Sequence, residues 1–379
     1  MLKSWLPGVR VLDLGQYLPG PAAAQMLFDM GADVLKIESP AGDPLRELDP
    51  VTGKSVTGVS PYYAAVNAGK AVVRLDLKSA DGRRAFERLA AAADVLIESF
   101  RPGRLAKLGL GPDRLRALNP RLVHVALSGY GQTGPLRDVS GHDLNYLAMS
   151  GALAAGGAEA APGIFWPPVA DHAAAMQTAL CVLGALMGRA RTGQGAFVDV
   201  SLAETALAWQ AWGLTAAQAG ESVAREGAVL NGGAAYYRVY RTKDGKFVAL
   251  GAIEPIFWRN FCAAVGRADW IARQTESLPQ TALIANVAAL FAAATRNQWD
   301  ARLANVDCCY HPVLDYSEVA VSPHVAARGL VRSVPAASGA PAHVEIAFAA
   351  LVDGHARPRR DPFKEVPVAA ALAAWNTPM

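Results

Sequence analysis

The sequence predicts an α/β protein: a parallel sheet with helices on both faces, followed by a smaller α+β domain. Two observations predict the first part. Short β-branched apolar runs end in Gly or a polar residue, and they alternate with helical patterns of about 10 to 15 residues over the first 130 positions. A third observation predicts the second part, because a polar, Gly-rich stretch at 221–235 breaks the alternation and a hairpin pattern follows it.

The elements follow in order. "VRVLDLG" (9–15) is a strand closed by Gly15, "GPAAAQMLFDMGA" (20–32) a helix closed by Gly31, and "DVLKIES" (33–39) a strand again. "AVVRLDL" (71–77), "SADGRRAFERLAAAA" (79–93) and "DVLIESF" (94–100) repeat the unit, and "PDRLRALNP" (112–120) precedes the strand "LVHVALSGY" (122–130). A long helix covers 171–190, with Asp171 at its start and Gly193 beyond its end; "AFVDVSL" (196–202) is a strand and 203–220 is helical. "YYRVYRTKDGKFVALGAI" (236–253) is two strands around a Lys-Asp-Gly turn, with helices at 255–266, 280–293 and 297–304. The tail returns to short strands with Pro-rich links. The resulting division is a large domain begun by 1–205, a linker 206–224, a small domain 225–312, and a return linker with the end of the large domain over 313–379.

Composition narrows the function classes. In 379 residues, 36 Lys and Arg against 33 Asp and Glu leave a net charge of +3, too mild for a general nucleic-acid surface. No basic stretch with an apolar run and cleavage site opens the chain, and no apolar segment reaches a membrane span without Gly, Pro or charge, so no membrane partner is expected. Cys181, Cys262, Cys308 and Cys309 form neither a disulfide framework nor a CxxC metal site. A cytoplasmic protein without a metal is the expectation. No GxGxxG follows the first strand, so there is no dinucleotide fingerprint.

Three polar positions stand out. In "SGHDLNYLAMSG" (140–151), Ser140 followed by Asp143 has the look of a helix start, which puts His142 in the first turn. A positive helix end disfavours imidazolium, so His142 is either a base kept neutral or a first-turn polar residue without chemistry. Asp171 is either an N-cap or a catalytic group, and an N-cap carboxylate is held ionised, which favours a nucleophile over a base. Glu254, before Pro255, suits a helix start and could orient an imidazole from another segment. Arg46, Lys70, Arg74, Lys78, Arg101, Arg104 and Lys107 lie at or beyond strand ends, where a phosphorylated ligand would bind in an open parallel sheet.

Together "VRVLDLGQYLPGPAAAQMLFDMGADVLKIE", "RLDLKS", "DVLIESFRPGRLAKLGLG", "LSGYGQTGP", "GHDLNYLAMSG", "GRARTGQGAFVDVSL" and "NGGAAYYRVYRTKDGKFVALGAIEP" resemble the family III (CaiB/BaiF) CoA-transferases, the group that includes the α-methylacyl-CoA racemases. The resemblance implies a Rossmann-like large domain and a small domain joined by long linkers, in an interlocked homodimer. It implies two competing chemistries. In the transferases an aspartate matching Asp171 is a nucleophile that forms an acyl anhydride and then a CoA thioester. In the racemases the matching Asp171 and His142 are two bases on opposite faces of the α-carbon, with Glu254 pairing with the His. "GHDLNY" and "YRTKDGKFVALGAIEP" resemble the racemase branch. The family's CoA contacts match Leu75, Asp76, Leu77, Lys78, Ser99, Phe100, Arg101 and Lys107, with Gly141, Asp143 and Tyr146 along the thioester. Coenzyme A is then part of the acyl-CoA substrate, and no separate cofactor is implied. The expected reaction is epimerisation of 2-methyl-branched acyl-CoA thioesters. CoA transfer to a carboxylic acid is the alternative, and a CoA-ester binder whose polar residues only cap helices is a third reading.

Overall fold

The computed structural model describes residues 2–337 and 340–376. The chain divides into two compact units, one of Met1–Leu147, Pro167–Ala208 and Ser322–Met379, the other of Ala148–Trp166 and Trp209–Val321.

In the first unit six strands follow one another: β1 (Arg10–Leu14), β2 (Asp33–Glu38), β3 (Ala71–Arg74), β4 (Val95–Glu98), β5 (Val123–Ser128) and β6 (Ala196–Ser201). A two-residue strand, Lys364–Glu365, joins them from the C-terminal segment, and no sequence pattern announces it. The sheet runs Lys364–Glu365, β3, β2, β1, β4, β5, β6, and every pairing is parallel. β4 and β5 are buried at every position, which explains their unbroken Val, Leu and Ile runs: both faces are covered, so no alternation survives.

The covering helices include α1 (Pro19–Asp29), α2 (Ala80–Ala92), α3 (Asp143–Met149) and α4 (Val169–Thr192). Ser79 caps α2, its Oγ accepting from Gly82 N–H at 2.9 Å, and Phe86, Leu89 and Ala90 form its buried stripe at helical spacing. By length and composition α4 is apolar enough to cross a membrane, more so than its Gly and Arg residues suggest in sequence. Its small residues Ala173, Ala174, Ala175, Thr178 and Ala179 are buried, and it packs on α1 and on β5 and β6.

A lysine and an arginine expected to serve a phosphate, Lys70 and Arg46, are committed to the interior. Lys70 is fully buried, and its three donors are used by Asp13 Oδ2 at 2.9 Å, Pro21 O at 2.8 Å and Asn67 Oδ1 at 3.0 Å. Burial lowers its pKa to about 8, with Asp13 opposing the shift. Arg46 holds Glu38 at 2.7 Å and Tyr63 Oη at 2.8 Å. Lys36 is likewise buried, bonded to Gly15 O at 2.7 Å and Asp43 at 3.0 Å. Charges this deep need partners to exist at all, so the groups near the ends of β1, β2 and β3 neutralise one another.

In the second unit β7 (Tyr237–Arg241) and β8 (Phe247–Gly251) form the hairpin, with Gly245 at φ 77 in its turn. β9 (Tyr310–Pro312) adds a third antiparallel strand. Helices Pro255–Ala264, Thr281–Ala292 and Arg296–Leu303 close a core of Trp258, Phe261, Trp270, Phe291 and Trp299. Residues 148–166, 209–224 and 313–321 group with this unit, beyond the 225–312 expected from sequence.

Candidate active site

A cleft of about 520 Å³ opens beyond the carboxyl ends of β4 and β5. Ser99, Phe100 and Arg101 line it from the loop after β4, and Ser128 and Gly129 from the end of β5. Arg137, Gly141, His142, Asn145 and Tyr146 line it from the segment leading into α3. Glycine is required at two of these positions. A Cβ on Gly141 would sit 2.8 Å from the Tyr146 ring and one on Gly129 2.6 Å from its hydroxyl, so the ring lies flush against both backbones. Tyr146 Oη donates to Gly141 O at 2.5 Å.

His142 sits one step earlier than expected. α3 begins at Asp143, and His142 is its cap position: its carbonyl accepts from Asn145 and Tyr146 N–H, and its own N–H donates to Asn145 Oδ1 at 3.0 Å. Asn145, and not Ser140, closes this end. The imidazole is exposed to the cleft and makes no hydrogen bond to any described residue.

Asp171 is not the N-cap of α4. The cap position is Pro168, which offers no side-chain acceptor, and Asp171 is the third helical residue. Two of the N–H groups left without intrahelical partners at this end are satisfied from another segment: Asp143 Oδ1 accepts from Ala170 N–H at 2.6 Å and from Asp171 N–H at 3.3 Å. The residue after His142 therefore fixes the helix end that carries Asp171. Freed from capping, Asp171 is not held ionised. Burial, reinforced by the negative charge of Asp143, pushes its carboxyl up to about 7. Burial also pushes the Tyr146 phenol up to about 12, and the Asp171 charge adds to it, which ties Asp171 electrostatically to the cleft wall.

The other positions are distributed. Leu75 is buried beneath the loop after β3, Leu77 packs on the same core, and Asp76 and Lys78 are exposed, Asp76 Oδ1 accepting from Lys78 N–H at 2.9 Å. Lys107 ends a short exposed helix, Arg104–Lys107. None of these five lines the cleft that His142 faces, whereas Ser99, Phe100, Arg101, Gly141 and Tyr146 do. Glu254, in the second unit, is the exposed N-cap position of Pro255–Ala264, and its side chain makes no capping bond. Sequence reasoning missed Arg137, a second cleft cation in a loop without regular structure, and the capping bonds of Asp143, which join segments 27 and 28 residues apart. Asp171 does not itself line the cleft; it acts on the cleft wall through the charge felt by Tyr146. A cleft carrying an unengaged imidazole and two guanidinium groups, with a carboxyl near neutrality behind its wall, suits proton transfer on an anionic ligand.

The family model for CoA-transferase family III matches residues 6–363. The chain belongs to CoA-transferase family III. Family III membership carries the parallel-sheet architecture and makes the chain an enzyme acting on acyl-CoA. It is 34% identical to an α-methylacyl-CoA racemase of Homo sapiens over 332 residues, covering 86% of this chain and 81% of the relative. A succinate–glutarate CoA-transferase of Agrobacterium fabrum is 40% identical over 205 residues, or 53% and 51% of the two chains. Among solved structures, a CaiB/BaiF family protein from Brucella suis superposes with a TM-score of 0.82 at 27% identity, covering 98% and 99% of the chains. Both chemistries of family III are thus represented among its relatives.

Proposed function

We propose that the chain epimerises 2-methyl-branched acyl-CoA thioesters by removing and returning the α-proton, with His142 and Asp171 as the two bases. The observation that carries this reading is the Asp171 carboxyl raised to about 7. A group that must take a proton in one direction and give it in the other works best near the ambient pH, whereas a carboxylate nucleophile needs only to be ionised. The α-proton of a thioester is acidic enough for such bases once the enolate oxygen meets hydrogen-bond donors, so CoA, as part of the substrate, is all the chemistry requires. Leu75–Lys78, Ser99–Arg101 and Lys107 are assigned to the CoA moiety, Gly141, Asp143 and Tyr146 to the thioester, and Glu254, of this chain or of a partner chain, to orienting the His142 imidazole. The deciding experiment incubates one epimer of a 2-methylacyl-CoA in D₂O and follows the α-carbon by mass spectrometry. Deuterium with inversion is expected. The identity to a CoA-transferase favours a second reading, acyl transfer through Asp171 alone. Absence of exchange together with hydroxylamine-sensitive acylation of Asp171 would establish that reading instead.

Asp143 supplies a second test. Asp143→Asn keeps an oxygen for the Ala170 and Asp171 N–H groups but removes the charge. The acid limb of the pH–rate profile for the direction in which Asp171 is the base is expected to move down by about one unit from its midpoint near 7. An unmoved midpoint would show that Asp143 does not tune the carboxyl.

The working form is proposed to be a homodimer. Met176, Leu180 and Met187 project from one side of α4 at 61, 62 and 66% exposure, more apolar surface than a lone chain usually leaves in water. Sedimentation equilibrium should return twice the chain mass.

A further inference from the structure

One buried cation of the first unit has no counter-ion. Its two neighbours in the C-terminal segment do: Arg332 pairs with Glu345 at 3.2 Å, and Arg360 holds Asp29 through two bonds at 2.6 and 2.7 Å. Arg357 is 8% exposed, yet no carboxylate pairs with it among the described residues. Its Nε donates to Phe348 O at 2.7 Å and its Nη1 to Arg328 O. Two of the five guanidinium N–H donors are thereby used, and the remainder, one on Nη1 and both on Nη2, have no acceptor among the described residues. Carbonyl oxygens satisfy donors without cancelling the charge, and a charge this deep is normally paired. The backbone around it is fixed, because Arg332 donates to Arg357 O at 2.7 Å and to Pro358 O at 3.1 Å.

Arg357 lines a cavity of about 170 Å³. Lys3 and His355 line it as well, Leu2, Val352 and Pro358 give it an apolar wall, and no acidic side chain is among the described residues around it. The N-terminal segment on one side is held in place: Leu6 N–H donates to Met30 O at 2.9 Å, and at Gly31, φ 103, any Cβ would overlap Lys3 O. These contacts put the cavity beside the C-terminal end of α1. α1 runs back from the carboxyl end of β1 to the amino end of β2, so the cavity lies at the edge of the sheet opposite the cleft of His142. The two share no lining residue.

We propose that this cavity binds a short-chain monocarboxylate, its two oxygens on the Nη edge of Arg357 and its tail against Leu2, Val352 and Pro358. A planar carboxylate matches the paired Nη donors, and Lys3 adds a second positive charge. Inorganic phosphate brings charge but nothing for the apolar wall. A cavity of about 150 Å³ encloses a six-membered carbon ring, so a ligand of about six non-hydrogen atoms, such as 2-methylpropanoate, matches the space. CoA and its thioesters are far too large for it. The site is independent of which reaction the cleft performs.

The test titrates the full chain with 2-methylpropanoate and follows the methyl signal of the ligand by NMR. One saturable site is expected, its Kd changed by less than about twofold when CoA is present in excess. 2-Methylpropanamide has the same shape without the charge and should bind about tenfold or more weakly, and inorganic phosphate should also bind more weakly than the carboxylate. Arg357→Gln keeps N–H donors but removes the charge, and should weaken the carboxylate about tenfold or more. Because Arg357 also ties Phe348 and Arg328, two exposed positions supply independent variants. Lys3→Ala should weaken binding about threefold or more, and Ala350→Trp, which fills the cavity from its rim, should abolish it, both with Tm within about 2 °C of the parent. No saturable binding, equal binding of the amide or of phosphate, displacement by CoA, or a Kd unmoved by Lys3→Ala and Ala350→Trp would overturn the site.

Discussion

Asp171→Asn is expected to lower epimerisation by about a thousandfold or more and, unlike most active-site losses, to stabilise the fold above neutral pH. The first effect follows from removing one of two bases, each worth about 10²- to 10⁴-fold. The second follows from where the carboxyl titrates. Its ordinary value is 3.8, and burial with Asp143 raises it to about 7 in the folded chain. Between those values the folded state binds more protons than the unfolded one, so stability declines as pH rises from about 4 to 7, and the full cost remains above 7. Three units would correspond to about 4 kcal/mol, but the side chain is only partly buried and solvent screens it, so about 1 to 2 kcal/mol is the expected gain. Asn keeps the shape and removes the charge. Denaturant titrations at pH 4 and pH 8 read the difference: parent and variant should coincide at the lower pH and separate at the higher one. A variant less stable than the parent at pH 8 would show that Asp171 is well accommodated as an anion, which suits a nucleophile.

The large sheet was legible in the sequence because its inner strands β4 and β5 are buried on both faces and read as unbroken apolar runs, and because α2 opens on a recognisable cap, Ser79. What stayed hidden has a common physical cause, long range. Lys364–Glu365 joins β3 across nearly the whole chain, and two residues carry too little pattern to be read as a strand. Lys70 and Arg46 look like loop cations because sequence order does not reveal that Asp13 and Glu38 await them in the interior. The site shows the same limit more sharply. Asp171 before an apolar helix reads as its cap, and the inference that it is held ionised follows correctly from that assignment. The assignment fails because Asp143, from another segment, takes the capping N–H groups, and its charge then acts on Asp171 with the opposite sign.

His142→Ala is the substitution on which the two family chemistries diverge most. In a two-base mechanism each base serves one face of the α-carbon, so removing the imidazole does not abolish all proton chemistry. Asp171 remains, and it can still take the proton from the epimer that faces it and return a deuteron to the same face. The expected result is therefore asymmetric: inversion falls by about 10²- to 10⁴-fold in both directions, one epimer ceases to exchange, and the other continues to exchange with retention of configuration. Asp171→Asn should give the mirror pattern, exchange surviving only in the epimer that the variant lacking His142 has lost. Because the imidazole is exposed in the cleft and bonded to no described residue, its removal leaves the backbone bonds from Asn145 in place, and CoA-ester affinity should hold within about threefold. Acyl transfer through Asp171 alone makes neither demand. There His142→Ala would leave most of the rate, and no epimer would acquire deuterium with or without it. The pair of variants, read by chiral separation and mass spectrometry of the same samples, assigns a face to each base, which neither variant alone can do.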